Sequence, residues 1–353
     1  MTKVEVDSLP VSVITGFLGS GKTTLLNRLI QHPHMAKTAV VINEFGEIGI
    51  DNLLVEHIDD NVVLMSSGCL CCTIRGDLVD TLKDLFKRRA KQEIPDFDRL
   101  VIETTGLADP APILHTLMSD PFLMSRYRLD GVISTADAVL GLDTMAKHEE
   151  AVKQAAVADR VVITKVDLAD DDTIDALEDH LRGLNPAAGI HRVANGDIDP
   201  DLLFNAGLYD PETKTLDVRR WLRAEAYGED QGPGHDHGHD VNRHDDQIQA
   251  YCVYLDERLP WEQFASWLEL LTTYRGDDIL RIKGMLNVKE SETPVVVHGV
   301  QHIFHPPVQL DAWPDDDRRS RIVFITRGLS RSVVENMLAA LTKKPGDGAI
   351  HEA

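Results

Sequence analysis

Cysteine is scarce in this 353-residue chain. There are four, and three of them, Cys69, Cys71 and Cys72, sit in one stretch, "SSGCLCCTIRGD" (66–77). So few thiols exclude a small disulfide-stapled scaffold. Positive charge is also short, with 36 Lys and Arg against 58 Asp and Glu, a formal charge of −22. That balance excludes a surface built to grip nucleic acid or anionic lipid, both of which need clustered cations. Long apolar runs are missing, and nothing approaches the ~18 residues of a membrane span. The opening "MTKVEVDSLPVSVITG" places Glu5 and Asp7 where a signal peptide needs unbroken apolar residues. With few thiols and no export signal, the expected compartment is the cytoplasm, where a cysteine cluster is more often a metal or reactive site than a disulfide.

What is present is ordinary for a globular protein, 43% hydrophobic and 27% charged. The length exceeds what one core usually serves, so two domains are expected. The first two-thirds alternate β-branched runs with amphipathic stretches. "VSVIT" (11–15), "TAVVIN" (38–43), "NVVLM" (61–65), "RLVIE" (99–103), "GVIST" (131–135) and "RVVIT" (160–164) read as strands buried on both faces. In "GDLVDTLKDLFKRRA" (76–90), Leu78, Leu82, Leu85 and Phe86 share one helical stripe. The expectation is an α/β domain over 1–225, a mostly parallel sheet flanked by helices. From 226 to 247 the chain turns Gly-, Asp- and His-rich and reads as a flexible linker. Residues 248–353 read as a smaller α+β domain, with strands in "IQAYCVYLD", "TPVVVHGVQHIFHP" and "RIVFIT" and helices in "PWEQFASWLELL" and "SRSVVENMLAALTK".

After the first strand comes "GFLGSGKTT", a complete phosphate-binding loop (Gly16, Gly19, Ser20, Gly21, Lys22, Thr23, Thr24) between a strand and an amphipathic helix. Its glycines let backbone N–H groups converge on phosphate oxygens, and the helix N-terminus adds its dipole. Lys22 is expected on the β- and γ-phosphates and the Thr23 hydroxyl on Mg2+. Downstream, "VITKVDLAD" supplies Lys165 and Asp167 after a strand. A carboxylate there can accept from N1–H and the exocyclic amine of guanine, donors that adenine lacks, so GTP/GDP is the expected nucleotide. Thr164 stands where the usual pattern has Asn. In "VIETTGLADP", Glu103 is expected to hold Mg2+ through water and the Gly106 amide to contact the γ-phosphate. The next residue, Leu107, cannot orient water as a Gln would, so slow intrinsic hydrolysis is expected.

In a parallel sheet the segments after strands 11–15, 38–43, 61–65 and 99–103 all emerge at the carboxyl edge, where ligands bind. The three thiols then lie beside the nucleotide segments. Three thiolates with one carboxylate or imidazole could complete a tetrahedral Zn2+ site, and thiolates would also suit Cu(I). Glu47 is the favoured extra ligand, with Glu44 a second candidate. A permanent structural zinc knuckle and small packed hydrophobes are the competing readings.

"TGFLGSGKTTLLN", "NEFGEIGID", "GCLCC", "ETTGLADP" and "TKVDL", in that order, resemble the motifs of the CobW-type P-loop GTPases of the SIMIBI class, in particular the branch regarded as zinc metallochaperones. "LRIKGMLNV" (280–288), "GVQHIFHP" and Trp313 resemble that family's C-terminal domain, so the likeness spans nearly the whole chain. The resemblance implies GTP hydrolysis coupled to delivery of a transition metal, usually zinc, to a client metalloprotein, and it ties the Cys-x-Cys-Cys residues Cys69, Cys71 and Cys72 to that metal. Service to a cobalt or nickel enzyme is the alternative within the superfamily, and a zinc-storage or sensing module with a non-cycling nucleotide site the alternative outside it. A homodimer stays open. One departure is Ile42, where some relatives carry a carboxylate; Glu47 keeps its place.

Lesser features fill in the rest. His235, His237 and His239 in "GHDHGHD" could collect zinc weakly, or be plain linker. Cys252 reads as core, Trp261, Trp267 and Trp313 as packing of the second domain, and His298, His302 and His305 as surface residues.

Overall fold

The structure is a computed structural model and describes residues 8–42, 63–66, 74–204 and 248–342. The chain divides into two compact units, Met1–Trp221 and Leu222–Ala353.

The first unit is built on seven strands: β1 (Leu9–Gly16), β2 (Thr38–Ile42), β3 (Val63–Ser66), β4 (Arg99–Glu103), β5 (Tyr127–Asp137), β6 (Arg160–Thr164) and β7 (Gly189–Val193). They lie in the order β3-β2-β4-β1-β5-β6-β7, and every pairing is parallel. Strand polarity therefore sends all seven carboxyl ends to one edge. β1, β2, β4 and β6 are buried at almost every position, as strands covered by helices on both faces are. The helices are α1 (Lys22–Ile30), α2 (Ile74–Ala90), α3 (Ala111–Ser119), α4 (Pro121–Arg126), α5 (Gly141–Lys147), α6 (Glu149–Ala156) and α7 (Asp171–Leu184). Leu25, Leu26, Leu29 and Ile30 of α1 seat on Ile14, Val40, Val101, Ile133 and Val162 of the sheet. In α2 the expected stripe holds: Leu78, Leu82 and Leu85 are buried and Phe86 is half-buried. β7 was not expected from the sequence, because it is an edge strand carrying His191 and Arg192 rather than an apolar run.

The second unit holds a six-stranded antiparallel sheet. Its strands are β8 (Ile248–Leu255), β9 (Ile279–Leu286), β10 (Val295–Val300), β11 (Ile303–Phe304), β12 (Val308–Gln309) and β13 (Ser320–Arg327). Helices α8 (Trp261–Arg275) and α9 (Arg331–Thr342) complete it. Phe264, Trp267, Leu268 and Leu271 of α8, with Val334 and Leu338 of α9, pack on Tyr251, Val253, Ile282, Leu286, Ile322 and Phe324. Trp267 is thus core and Trp261 packs at its margin. Trp313 instead donates its indole N–H to Glu292 O at 3.2 Å, with the Arg318 guanidinium over its ring.

Two of the three histidines expected at the surface are partly or fully enclosed. His305 is buried, and its ring lies 5.1 Å from that of half-buried His298. The strand-end packing of "GVQHIFHP" turns both inward, while His302 stays outside, its Nδ1 donating to Thr272 O at 2.8 Å and its Nε2 paired with Asp277 Oδ1 at 3.0 Å.

Candidate nucleotide site

The loop between β1 and α1 is shaped by its glycines. Gly16 has φ +141°, and a Cβ there would lie 2.2 Å from Thr135 Oγ1 and 2.7 Å from Thr135 O, so no larger residue fits. Gly19 and Gly21 follow with φ +71° and +90°. α1 then begins with no side-chain cap and no acidic residue in its first turn. Its leading N–H groups are left for an anion.

Three hydroxyls brace this loop against the sheet. Ser20 Oγ meets Thr135 Oγ1 at 2.6 Å. Thr164 Oγ1 donates to Ser20 O at 2.7 Å and to Ala136 O at 3.2 Å. Thr104 Oγ1 reaches Thr15 Oγ1 at 3.0 Å. Thr164, the departure from the usual Asn, therefore ties the phosphate loop to β6 and β5 with its own hydroxyl.

The charged residues converge on the same edge. Lys22 is buried, and its Nζ donates to Gly16 O (2.9 Å) and Phe17 O (3.1 Å). Thr23 Oγ1 donates to Glu103 Oε1 at 2.8 Å. Glu103 is the last residue of β4, in register with Ile14 of β1. An all-oxygen pair of hydroxyl and carboxylate is the donor chemistry Mg2+ prefers, so these two residues fit that ion. Thr24 is exposed on the outer side of the first helical turn.

The chain after β4 turns back over the loop. Ala108 N–H donates to Thr105 O at 3.1 Å, closing a turn with Gly106 and Leu107 at its centre. Gly106 lies so close to Leu18 that a Cβ would meet Leu18 N at 2.7 Å and Cα at 2.8 Å. Leu107 is 57% exposed. Gln154 of α6 donates Nε2 to Gly106 O at 3.2 Å and Ala108 O at 3.0 Å.

Past β6, Lys165 adopts a left-handed backbone (φ +57°), and its Nζ pairs with Asp137 Oδ2 at 2.5 Å. Asp137 Oδ1 accepts from the backbone of Val139 and Leu140, fixing the turn after β5. Asp167 stands exposed in the short 3-10 turn Val166–Leu168. Gly16, Gly19, Ser20, Gly21, Lys22, Thr23, Glu103, Gly106 and Lys165 are thus brought together around one loop. Sequence reasoning missed Thr135, Asp137 and Gln154. Only Asp137 left a trace, a carboxylate as the last residue of a strand buried at almost every position.

Cys69, Cys71, Cys72, Glu44, Glu47, His235, His237 and His239 lie outside the described residues. The strand before the thiols does lie within them: Ser66, its last residue, pairs with Ile42, which pairs in turn with Glu103. Among the described residues, His34, Asp199 and Asp201 form a metal-type cluster past the far end of α1, exposed and with His34 paired to Asp201 at 3.2 Å. In the second unit, burial pushes the Cys252 thiol up to about 11, which suppresses the thiolate a ligand or nucleophile requires. Cys252 is core, as expected.

A glycine loop opening onto an uncapped helix, with Lys22 inside it and Thr23 joined to Glu103, on a parallel sheet, defines a P-loop nucleotide-binding protein. Residues 10–192 match the family model of the CobW/HypB/UreG nucleotide-binding domain, and 248–342 match the cobalamin synthesis protein cobW C-terminal domain. The chain belongs to the CobW/HypB/UreG family of P-loop GTPases. It is 33% identical over 338 residues to the zinc chaperone YjiA of Escherichia coli (strain K12), spanning 96% of this chain and all of that one. It is 29% identical to the zinc chaperone CobW of Pseudomonas aeruginosa, over 94% of this chain and 90% of that one. A third relative is the zinc-regulated GTPase metalloprotein activator 1 of Schizosaccharomyces pombe, 26% identical over 92% and 84% of the two chains. The crystal structure of Zn(II)-bound YjiA GTPase from E. coli superposes with a TM-score of 0.70 at 32% identity, covering 95% of this chain and 99% of that one.

Proposed function

We propose that this protein is a GTP-hydrolysing metallochaperone that takes up zinc and passes it to a client metalloprotein, with uptake and release set by the GTP or GDP state. The observation that carries the nucleotide half is the Thr23–Glu103 bond, which joins the first turn of α1, where the phosphate loop ends, to the last residue of β4, where the "TTGLADP" segment begins. A γ-phosphate bound in the loop acts on that segment at once.

The roles follow from the geometry. The amides of Gly19, Ser20, Gly21 and the first turn of α1, including Thr24, receive phosphate oxygens. Lys22 exchanges the carbonyls of Gly16 and Phe17 for the β- and γ-phosphates, trading neutral acceptors for charged ones. Thr23, and Glu103 through water, would hold Mg2+, which when bound would offset the charge developing on the phosphates. The Gly106 amide faces the γ-phosphate, and Asp167 accepts from guanine. Lys165, held by Asp137, frames that side of the site. Hydrolysis is intrinsically slow, since Leu107 offers no polar group to a water.

For the cargo half, Cys69 lies only three residues along the chain from Ser66, at most about 10 Å of extended backbone. Ser66 is in register with Ile42 and Glu103 at the carboxyl edge. Three thiolates with Glu47 make a soft, tetrahedral set suited to zinc. The His235–His239 tract would feed it at low affinity. Similarity to two zinc chaperones over nearly the full chain supports the same reading. We place the protein in the cytoplasm; among the described residues no helix is long and apolar enough to cross a membrane.

The test is turnover and binding of GTP against ATP, with Lys22→Ala and Thr23→Ala beside the wild type. The reading predicts Mg2+-dependent GTP hydrolysis, lost in both variants, and weak ATP binding. Equal use of ATP, or hydrolysis that survives Lys22→Ala, contradicts it.

A further inference from the structure

Gln154 is buried at 1% exposure, on α6. Both of its amide hydrogens are committed to carbonyls of the turn after β4, those of Gly106 and Ala108. Two acceptors on one side fix the amide's orientation, because only the NH2 can face them. Its Oε1 is left buried without a hydrogen-bond partner among the described residues. A leucine of similar size would fill the space and avoid that orphan acceptor, so packing alone does not account for a glutamine here.

What the amide does is local and specific. Gly106 O belongs to the central peptide of the Thr105–Ala108 turn. The central peptide of a turn has two flips, differing in which way its carbonyl faces. Gln154 selects the flip with the carbonyl toward α6. In a trans peptide the N–H points opposite the carbonyl, so the Leu107 N–H is turned away from α6. The rest of α6 reinforces the arrangement: Lys153 approaches Asp109 at 3.8 Å, and His148, the residue before the helix, stacks on Phe17 of the phosphate loop at 4.5 Å.

We propose that Gln154 is a positioning residue for GTP hydrolysis, holding the Gly106–Leu107 peptide so that its N–H, in place of the side chain that Leu107 lacks, orients the attacking water. This rests on the GTPase reading above. In that reaction the water oxygen bonds to the γ-phosphorus, the bond from that phosphorus to the β–γ bridging oxygen breaks, and the water's proton ends on the released phosphate. Gln154 touches none of these atoms; it acts through the peptide.

The experiment compares wild type, Gln154→Leu and Gln154→Glu for kcat, KM and the affinity of GDP and of a non-hydrolysable GTP analogue. Losing both donors is expected to lower kcat about tenfold or more, with GDP affinity within about twofold, since the phosphate loop itself is untouched. Gln154→Glu carries the sharper readout. A buried carboxyl facing two carbonyl oxygens resists ionisation and, while protonated, keeps one O–H donor. Its kcat relative to wild type should therefore rise as the medium goes from about pH 8 to about pH 6. The charged and titratable groups around it are Glu149, Lys153 and His148 on or beside α6, Asp109 just past the turn, and the Lys165–Asp137 pair lining the same cavity. These groups are the same in both proteins, so the ratio isolates the residue at 154. Wild-type kcat in both variants, a ratio flat with pH, or a kcat loss matched by equal loss of GDP affinity overturns the proposal. If the wild type itself does not hydrolyse GTP, the GTPase reading falls and this one with it; hydrolysis with indifferent variants removes Gln154 alone.

Discussion

Replacing Thr164 by Val should weaken nucleotide binding without disturbing the fold. The change swaps a hydroxyl for a methyl at nearly constant volume, so no cavity opens. It removes the donor to Ser20 O at 2.7 Å and the weaker one to Ala136 O at 3.2 Å, both at a site only 4% exposed. A buried hydrogen bond of this kind is worth about 1 kcal/mol net, and a buried carbonyl stripped of its donor costs about 1–3 kcal/mol. Ala136 O is part of the β5–β6 sheet region and loses little, so the loss falls mainly on Ser20 O, in the phosphate loop. About 2 kcal/mol is the expected total, near thirtyfold in affinity if the loop is ordered at the expense of binding. Titration of a fluorescent GDP analogue reads this directly, with circular dichroism as the check on folding. Thr164→Ser keeps the hydroxyl and should bind within about threefold of wild type. Wild-type affinity in Thr164→Val would refute the claim that this hydroxyl braces the loop.

Two further perturbations bear on separate parts of the molecule. Asp167→Asn places an amide where the proposed guanine contact needs a carboxylate; GTP affinity should fall by about 2 kcal/mol, while xanthosine triphosphate, which carries a carbonyl in place of the guanine amine, should gain. Competition binding with both nucleotides decides it, and an unchanged preference means Asp167 does not read the base. Cys252 bears on the second unit. Its thiol is raised by burial from an ordinary 9.0 to about 11, so above pH 9 the unfolded chain loses a proton that the folded one retains. This contribution is intact below pH 9 and is lost between pH 9 and 11, by up to about 3 kcal/mol. Chemical denaturation across that range should show a shallower alkaline decline in Cys252→Ala than in wild type; parallel curves would contradict the assignment.

The strands buried on both faces were the most legible part of the molecule. "RLVIE" and "RVVIT" coincide with β4 and β6 to the residue, since covering a parallel sheet on both sides demands an unbroken apolar run through the strand's middle. β7 escaped because an edge strand needs no such run: Arg192 reaches Glu178 and Asp175 on the exposed side. β9 escaped as a strand for the opposite reason. It is buried throughout, yet Arg281 and Lys283 alternate with its aliphatic residues and interrupt the hydrophobic pattern.

At the site the phosphate loop was readable because its whole mechanism is contiguous in sequence. Asp137 and Gln154 were not, because what they do depends on partners 28 and 46–48 residues away. For Thr164 the sequence showed the substitution; only the fold shows the hydroxyl reaching Ser20 O.

The central claim is that the three clustered thiols are the cargo end of a nucleotide switch. Its most direct test is zinc affinity, measured against a competing chelator for the nucleotide-free, GDP-bound and Mg2+–GTP-bound protein, with a Cys71→Ser/Cys72→Ser variant alongside. The account predicts at least about a tenfold difference between nucleotide states, ~1.4 kcal/mol of coupling, that disappears in the variant. Equal affinity in all three states would contradict it and leave the thiols a static zinc site beside a GTPase.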